Sequence, residues 1–194
     1  MRLAYLLIIC FAYGTLGATG TAHSAPDIRT LLTQLSQLRT TDRAAREILQ
    51  AVREDPSARQ YVVQQLPEMI SKPEVNEIWL NAVRLAGKLK ATEAIPSLRK
   101  ALSRGPLGGP ANMSFSGQID LDDDVVAKAL SEIGDPAIPV VTDLLSSGDQ
   151  KKRRRAALIL RNMASPAARK LLQDRLPHET DPRIKDLIET GLRS

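Results

Sequence analysis

The sequence predicts an all-α protein, an α-solenoid of about four stacked helix pairs with a capping helix at each end. Three observations predict it. First, one unit recurs along the chain. Asp55, Pro56, Ala58, Arg59, Leu66 and Pro67 align with Ser165, Pro166, Ala168, Arg169, Leu176 and Pro177. The run after each copy also matches, with Pro73, Val75, Ile78 and Trp79 on Pro182, Ile184, Leu187 and Ile188. Self-similarity at a period of a few tens of residues marks a repeat architecture. Second, apolar residues recur three and four apart, as in Ile48, Leu49 and Val52, which places one stripe along a helix. β-branched alternation is nowhere sustained. Third, the stops are explicit. Asp55-Pro56, Lys72-Pro73, Gly134-Asp135-Pro136, Ser165-Pro166 and Asp181-Pro182 punctuate the chain. Several of these offer a side-chain N-cap followed by a proline that needs no N–H partner in the first helical turn.

These signals place a leading helix at 27–39. Helix pairs follow at 42–53 with 56–71, 74–89 with 93–103, 122–133 with 136–147, and 150–163 with 166–176, and a last helix at 182–192. Leu130, Ile133, Pro136 and Val141 recur 30 residues later as Leu160, Met163, Pro166 and Leu171. Leu89 recurs 44 residues later as Ile133, and Ala94-Ile95-Pro96 recurs 43 residues later as Ala137-Ile138-Pro139. The excess falls in 104–121, a Gly/Pro-rich stretch that reads as an inserted loop between the second and third pairs. Ala82, Ala86, Ala127, Ala156 and Ala157 are small enough for close helix approach. Arg29, Gln34 and Gln37 at one end, and Arg183, Lys185, Asp186 and Glu189 at the other, suit the polar outer faces that terminal repeats need.

The first stretch stands apart from the array. Met1-Arg2 is followed by an uncharged run from Leu3 to Tyr13 and then by small residues to Ala25. Charged start, short apolar run and small-residue tail read as a signal peptide over 1–25, with cleavage expected after Ala22 or Ser24. The run is short of the ~20 residues that span a bilayer. Export to a periplasm or out of the cell is therefore expected of residues 26–194, the repeat domain. Loss of 1–25 removes Cys10, the single cysteine, so thiol and disulfide chemistry are not expected afterwards. It also lowers the net charge from +5 to +4, too little to imply a nucleic-acid partner. Tyr61, Trp79 and Phe115 then remain as the aromatics, too scattered for a stacking platform.

Ala127, Leu130 and Ile133-Gly134-Asp135-Pro136-Ala137-Ile138-Pro139 resemble the HEAT repeat. Leu85, Leu89 and Ala94-Ile95-Pro96 form a looser copy, and 42–71 and 150–176 are looser still, lacking the Ile-Pro. The resemblance implies an array of helix pairs offering a curved surface. It says little about chemistry, because one fold hosts many roles. HEAT-like arrays include bilin lyases and DNA glycosylases, both intracellular activities at odds with the expected export.

No residue pattern points to catalysis. His178 has no second His or Cys at ligand spacing, so no metal is expected there. Glu68, Glu74 and Glu77 lack partners for acid–base work. Asp120 to Asp124 resembles a calcium loop only superficially, since Val125 and Ser131 stand where Gly and Glu would be needed, and an acidic helix start is the expected role. Trp79 aligns with Ile188 and is expected in the core. No catalytic residue and no cofactor are expected.

The expectation is a non-enzymatic, monomeric scaffold that binds a protein segment or an acidic polymer. The binding surface is expected on the second helices, taken as the concave face, through Arg59, Arg99, Lys100, Arg169, Lys170 and Arg175, or on the inserted loop through Met113 and Phe115. The alternative is an anionic membrane or cell-wall surface held by the cluster 151–155. At about 100° per residue, Lys151, Lys152 and Arg155 share an outward face and Arg153 points away. Reversing those three charges is then expected to change stability by no more than about 0.5 kcal/mol.

Overall fold

The computed structural model describes residues 27–103, 121 and 124–193; the expected signal segment and the loop residues Met113 and Phe115 lie outside them. Among the described residues ten helices form: α1 (Ile28–Leu35), α2 (Thr41–Glu54), α3 (Ser57–Ser71), α4 (Glu77–Lys88), α5 (Ile95–Leu102), α6 (Val125–Ile133), α7 (Ile138–Leu145), α8 (Gln150–Met163), α9 (Pro166–Arg175) and α10 (Pro182–Arg193). No β-strand occurs among them. The first helices of each pair, α2, α4, α6 and α8, stack side by side in one layer that α10 continues. The second helices form the other layer, with α3 against α5 and α7 against α9. An exposed ion pair, Arg99 to Asp143 at 2.9 Å, ties α5 to α7. α1 closes the N-terminal end against α2 and α3. There Arg29 lies over the Tyr61 ring, 5.7 Å from its centre.

The helix starts follow the predicted punctuation with small shifts that have local causes. The second pair opens at Glu77 because Asn76 is extended and its side chain accepts the Trp79 N–H at 3.0 Å. The third opens at Val125 because Asp124 is the N-cap, accepting from Ala127 N at 3.1 Å. Buried Asp124 thus works as a helix start, satisfying a free N–H, while Asp120, Asp122 and Asp123 lie outside the described residues. Asp149, Ser165 and Asp181 cap α8, α9 and α10 in the same way. The two Ile-Pro copies each open a helix, α5 and α7, directly after a single 3-10 turn, Thr92–Ala94 and Asp135–Ala137. Their prolines fall in the first helical turn, where a missing N–H does no harm. Pro67 lies inside α3, whereas its copy Pro177 sits in a 3-10 turn that follows α9.

One continuous core runs the length of the array, from Leu31 and Leu35 through Ile48, Leu66, Leu85, Leu98, Leu130 and Leu160 to Ile188. Each pair leaves an apolar face that its neighbour covers, so burial rather than helix propensity holds the stack together. Trp79 is 1 % exposed and donates Nε1–H to the Ile70 carbonyl at 2.9 Å, closing α4 onto the end of α3. The tightest joint is between α4 and α6. A Cβ built on Gly87 would lie 2.8 Å from the Ala129 Cα, so only glycine fits there.

Candidate binding surface

The cations selected from sequence divide into those the fold uses internally and those it leaves outside. Arg155 is internal, which corrects the expectation that it shares an exposed face with Lys151. Its side chain is 11 % exposed. Nε and Nη2 donate to the two oxygens of fully buried Asp124, the latter at 2.7 Å, and Nη1 donates to the Leu102 carbonyl at 2.6 Å. One guanidinium so ties α8 to the start of α6 and the end of α5. Asn81 has a comparable role at the start of α2, reaching Asp42 at 2.6 Å and Thr41 at 3.3 Å.

Arg153 and Arg175 converge on Glu179, whose side chain is fully buried. Arg153 also donates to the carbonyls of Ser147 and Gly148. Burial alone would push the Glu179 pKa up. The Arg153 guanidinium, the Asp181 N–H, Arg175 and the Thr180 N–H outweigh it and hold the group at about 2. Arg59 is half-buried and donates to the Leu89 carbonyl at 2.9 and 2.7 Å and to the Lys90 carbonyl at 2.9 Å. It closes the C-terminus of α4, where Lys90 takes the left-handed conformation, φ 49°.

The remainder are exposed. Lys151 and Lys152 project from the first turn of α8, Lys100 from α5, and Arg169 from α9. Lys170 lies 3.5 Å from Asp174 on its own helix. Arg99 is spanned by Asp143, as above. Exposed pairs of this kind contribute little, about 0–1 kcal/mol. These cations fall two each on α5, α8 and α9, and neither groove formed by the described residues is lined by any of them. Among the described residues no three His, Cys, Asp or Glu side chains come together as a metal site, and His178 is exposed in the turn after α9.

The structure instead brings together residues that the sequence reading did not connect. A groove of about 440 Å³ crosses the outer side of the first-helix layer. Ala45, Arg46 and Leu49 of α2, Asn81, Arg84, Leu85 and Lys88 of α4, and Val125 and Lys128 of α6 line it. The floor is aliphatic, and four cations stand along it. Lys88 donates to Glu132 at 2.6 Å, where a small extension of the groove continues between α4 and α6. Arg84 donates to Asn81 Oδ1 at 3.2 Å and is 3.9 Å from Glu77. Arg46 is exposed and makes no ion pair among the described residues. A signal for this surface was present in the repeat register. Arg84 and Lys128 are 44 residues apart, the offset between their repeats, so consecutive first helices carry a cation at the same outward position.

Helix pairs stacked in two layers over one core, with an open groove across several repeats, define an α-solenoid of the kind that serves as a scaffold for other molecules. Residues 123–193 match the family of HEAT repeats. The described residues form an all-α solenoid, and the similarity to HEAT repeats covers its part from α6 to α10. No curated protein matches it.

Proposed function

We propose that this chain is an exported, non-enzymatic scaffold that holds a protein partner in the groove across α2, α4 and α6. The observation that carries the reading is the groove's composition. Apolar side chains and cations from three consecutive repeats line one surface, and none of the described residues lining its main channel is acidic. HEAT repeats commonly mediate contacts between proteins, and a surface built from several repeats is how a solenoid makes an extended interface. Export rests on the signal-like segment 1–25. The anionic-surface alternative has less support, because Arg153 and Arg155 of the cluster are spent on internal ties and Lys151 and Lys152 are the pair left projecting.

Site-specific photo-cross-linking in the producing cell tests the reading. A photoreactive residue is placed at Arg46 or Leu49 in the groove, at Arg169 on the second-helix side, and at Lys152. Adducts are identified by mass spectrometry. A defined protein adduct from the groove positions, lost when Arg84→Glu is added, is the expected result. Adducts confined to Arg169 or Lys152 would move the interface elsewhere and defeat the proposal.

A further inference from the structure

Resting on that reading of the groove, we infer the chemistry of its occupant: an extended peptide segment of about six residues in which carboxylates flank at least one aliphatic side chain. Three features of the surface lead there.

The first is charge. Arg46, Arg84, Lys88 and Lys128 come from three helices and overlook one channel, so the channel attracts anions along its whole length. Among the described residues the nearby acids sit at its margins. Glu132 is engaged by Lys88, Glu77 is 3.9 Å from Arg84, and Asp42 is turned to Asn81. A carboxylate entering the channel exchanges Lys88 away from Glu132 and meets Arg46 and Arg84 directly.

The second is the floor. Leu85 is 1 % exposed and Val125 6 %, with Ala45 and Leu49 half-buried beside them. An aliphatic floor rewards an aliphatic side chain that covers it and takes its apolar surface out of water. It offers nothing specific to a sulfated or carboxylated sugar chain. Among the described residues no aromatic ring lines the channel on which a sugar or base would stack. A peptide, which supplies acid and alkyl groups side by side, satisfies both floor and rim.

The third is length. Packed helices lie about 8–10 Å apart, so three of them span about 16–20 Å. An extended chain rises about 3.3 Å per residue, which sets the segment at about five or six residues. Side chains of an extended segment alternate in direction. Every second residue then meets the floor, and those between reach the cations on the rim.

The test uses three fluorescein-labelled peptides and the purified chain. The probes are Glu-Leu-Glu-Leu-Glu-Leu, its Lys-for-Glu version and its Ser-for-Leu version, read by fluorescence anisotropy at low and physiological salt. The expected result is binding of the first at least tenfold tighter than either control. Arg46→Glu with Arg84→Glu should weaken it at least tenfold, while Lys151→Glu with Lys152→Glu leaves it within twofold. Arg46 and Arg84 are exposed, so circular dichroism melting should confirm that the groove variant folds as wild type does. Equal affinity for the three peptides overturns the inference. So does tight heparin capture, abolished by the groove variant, with no peptide binding, which would make the occupant an anionic polysaccharide. A dimer seen in sedimentation and dissolved by the groove variant would make the occupant a second copy and also overturns it. A protein adduct cross-linked from Arg46 without preference for the acidic peptide would keep the scaffold reading and remove only this one. Tight acidic-peptide binding without any adduct in cells would do the reverse.

Discussion

Replacing Arg155 by methionine keeps most of the aliphatic stem and removes the guanidinium. Asp124 then loses both donors from Arg155 and retains Ala127 N, 3.1 Å away, as its remaining contact from the start of α6. The carboxylate has no exposure to water in the native structure. Breaking a buried pair by removing one partner costs about 3–5 kcal/mol, because an uncompensated charge stays behind. The Leu102 carbonyl also loses its 2.6 Å donor, which loosens the end of α5. For a chain of this size each kcal/mol shifts melting by about 2–4 °C, so a drop on the order of 10 °C is expected. Thermal unfolding followed by circular dichroism at pH 7 measures it. Asp124→Asn added to Arg155→Met removes the stranded charge while leaving a cap, and should recover some of the loss. The double-mutant cycle isolates that coupling. Lys151→Glu with Lys152→Glu is the matched control on the same turn of α8 and should shift stability by no more than about 0.5 kcal/mol. If Arg155→Met melted within about 2 °C of wild type, burial and geometry would not have set the energy of this pair, and the reasoning would fail.

Three further outcomes are expected. Gly87→Ala should destabilise by about 1–3 kcal/mol, since the new methyl meets the Ala129 backbone at 2.8 Å. Gly191→Ala should also destabilise, because its methyl would meet the stem of Arg161, Cγ at 2.8 Å and Cβ at 3.1 Å, and chemical denaturation reads both variants. Glu179 is held at about 2 against an ordinary 4.5. A depressed carboxylate contributes stability that is present above pH ~4.5 and lost as pH falls toward ~2. Glu179→Gln should therefore melt lower at pH 7 and show a shallower decline through that window, and identical pH profiles would refute the assignment. The exported protein should begin between positions 23 and 26, by intact mass, and a full-length mass in the membrane fraction would instead indicate an uncleaved anchor.

The helices and their pairing were readable in the chain because the forces that set them are local. Asp124, Ser165 and Asp181 precede their helices and satisfy their own first turns, and prolines sit where the helix has no N–H to lose. Trp79 was placed in the core by its alignment with Ile188, and both are buried. The inserted loop expected from the offset of 44 instead of 30 lies outside the described residues. The close contact at Gly87 was not foreseen, although alanines elsewhere were read as allowing close approach.

The fate of the charges was a different kind of question. Five contiguous cations at 151–155 look alike in sequence, and helical angle placed Arg155 with Lys151. Angle alone does not say what lies across from each side chain. Arg155 faces the start of α6 and Arg153 faces Glu179, partners 31 and 26 residues away that stacking of the pairs brings into reach. Lys151 and Lys152 face none among the described residues. Arg59 and Arg169 are copies in the alignment, yet one closes the end of α4 and the other is exposed. The groove arises in the same way, from Arg46, Arg84, Lys88 and Lys128 on three helices spread over more than eighty residues of chain. Helix formation depends on neighbours within about four residues, so residue order was enough to place it. Burial of a charge and convergence of a surface depend on which repeats touch and in what register, and in this molecule the packing of α2, α4, α6 and α8 settled both.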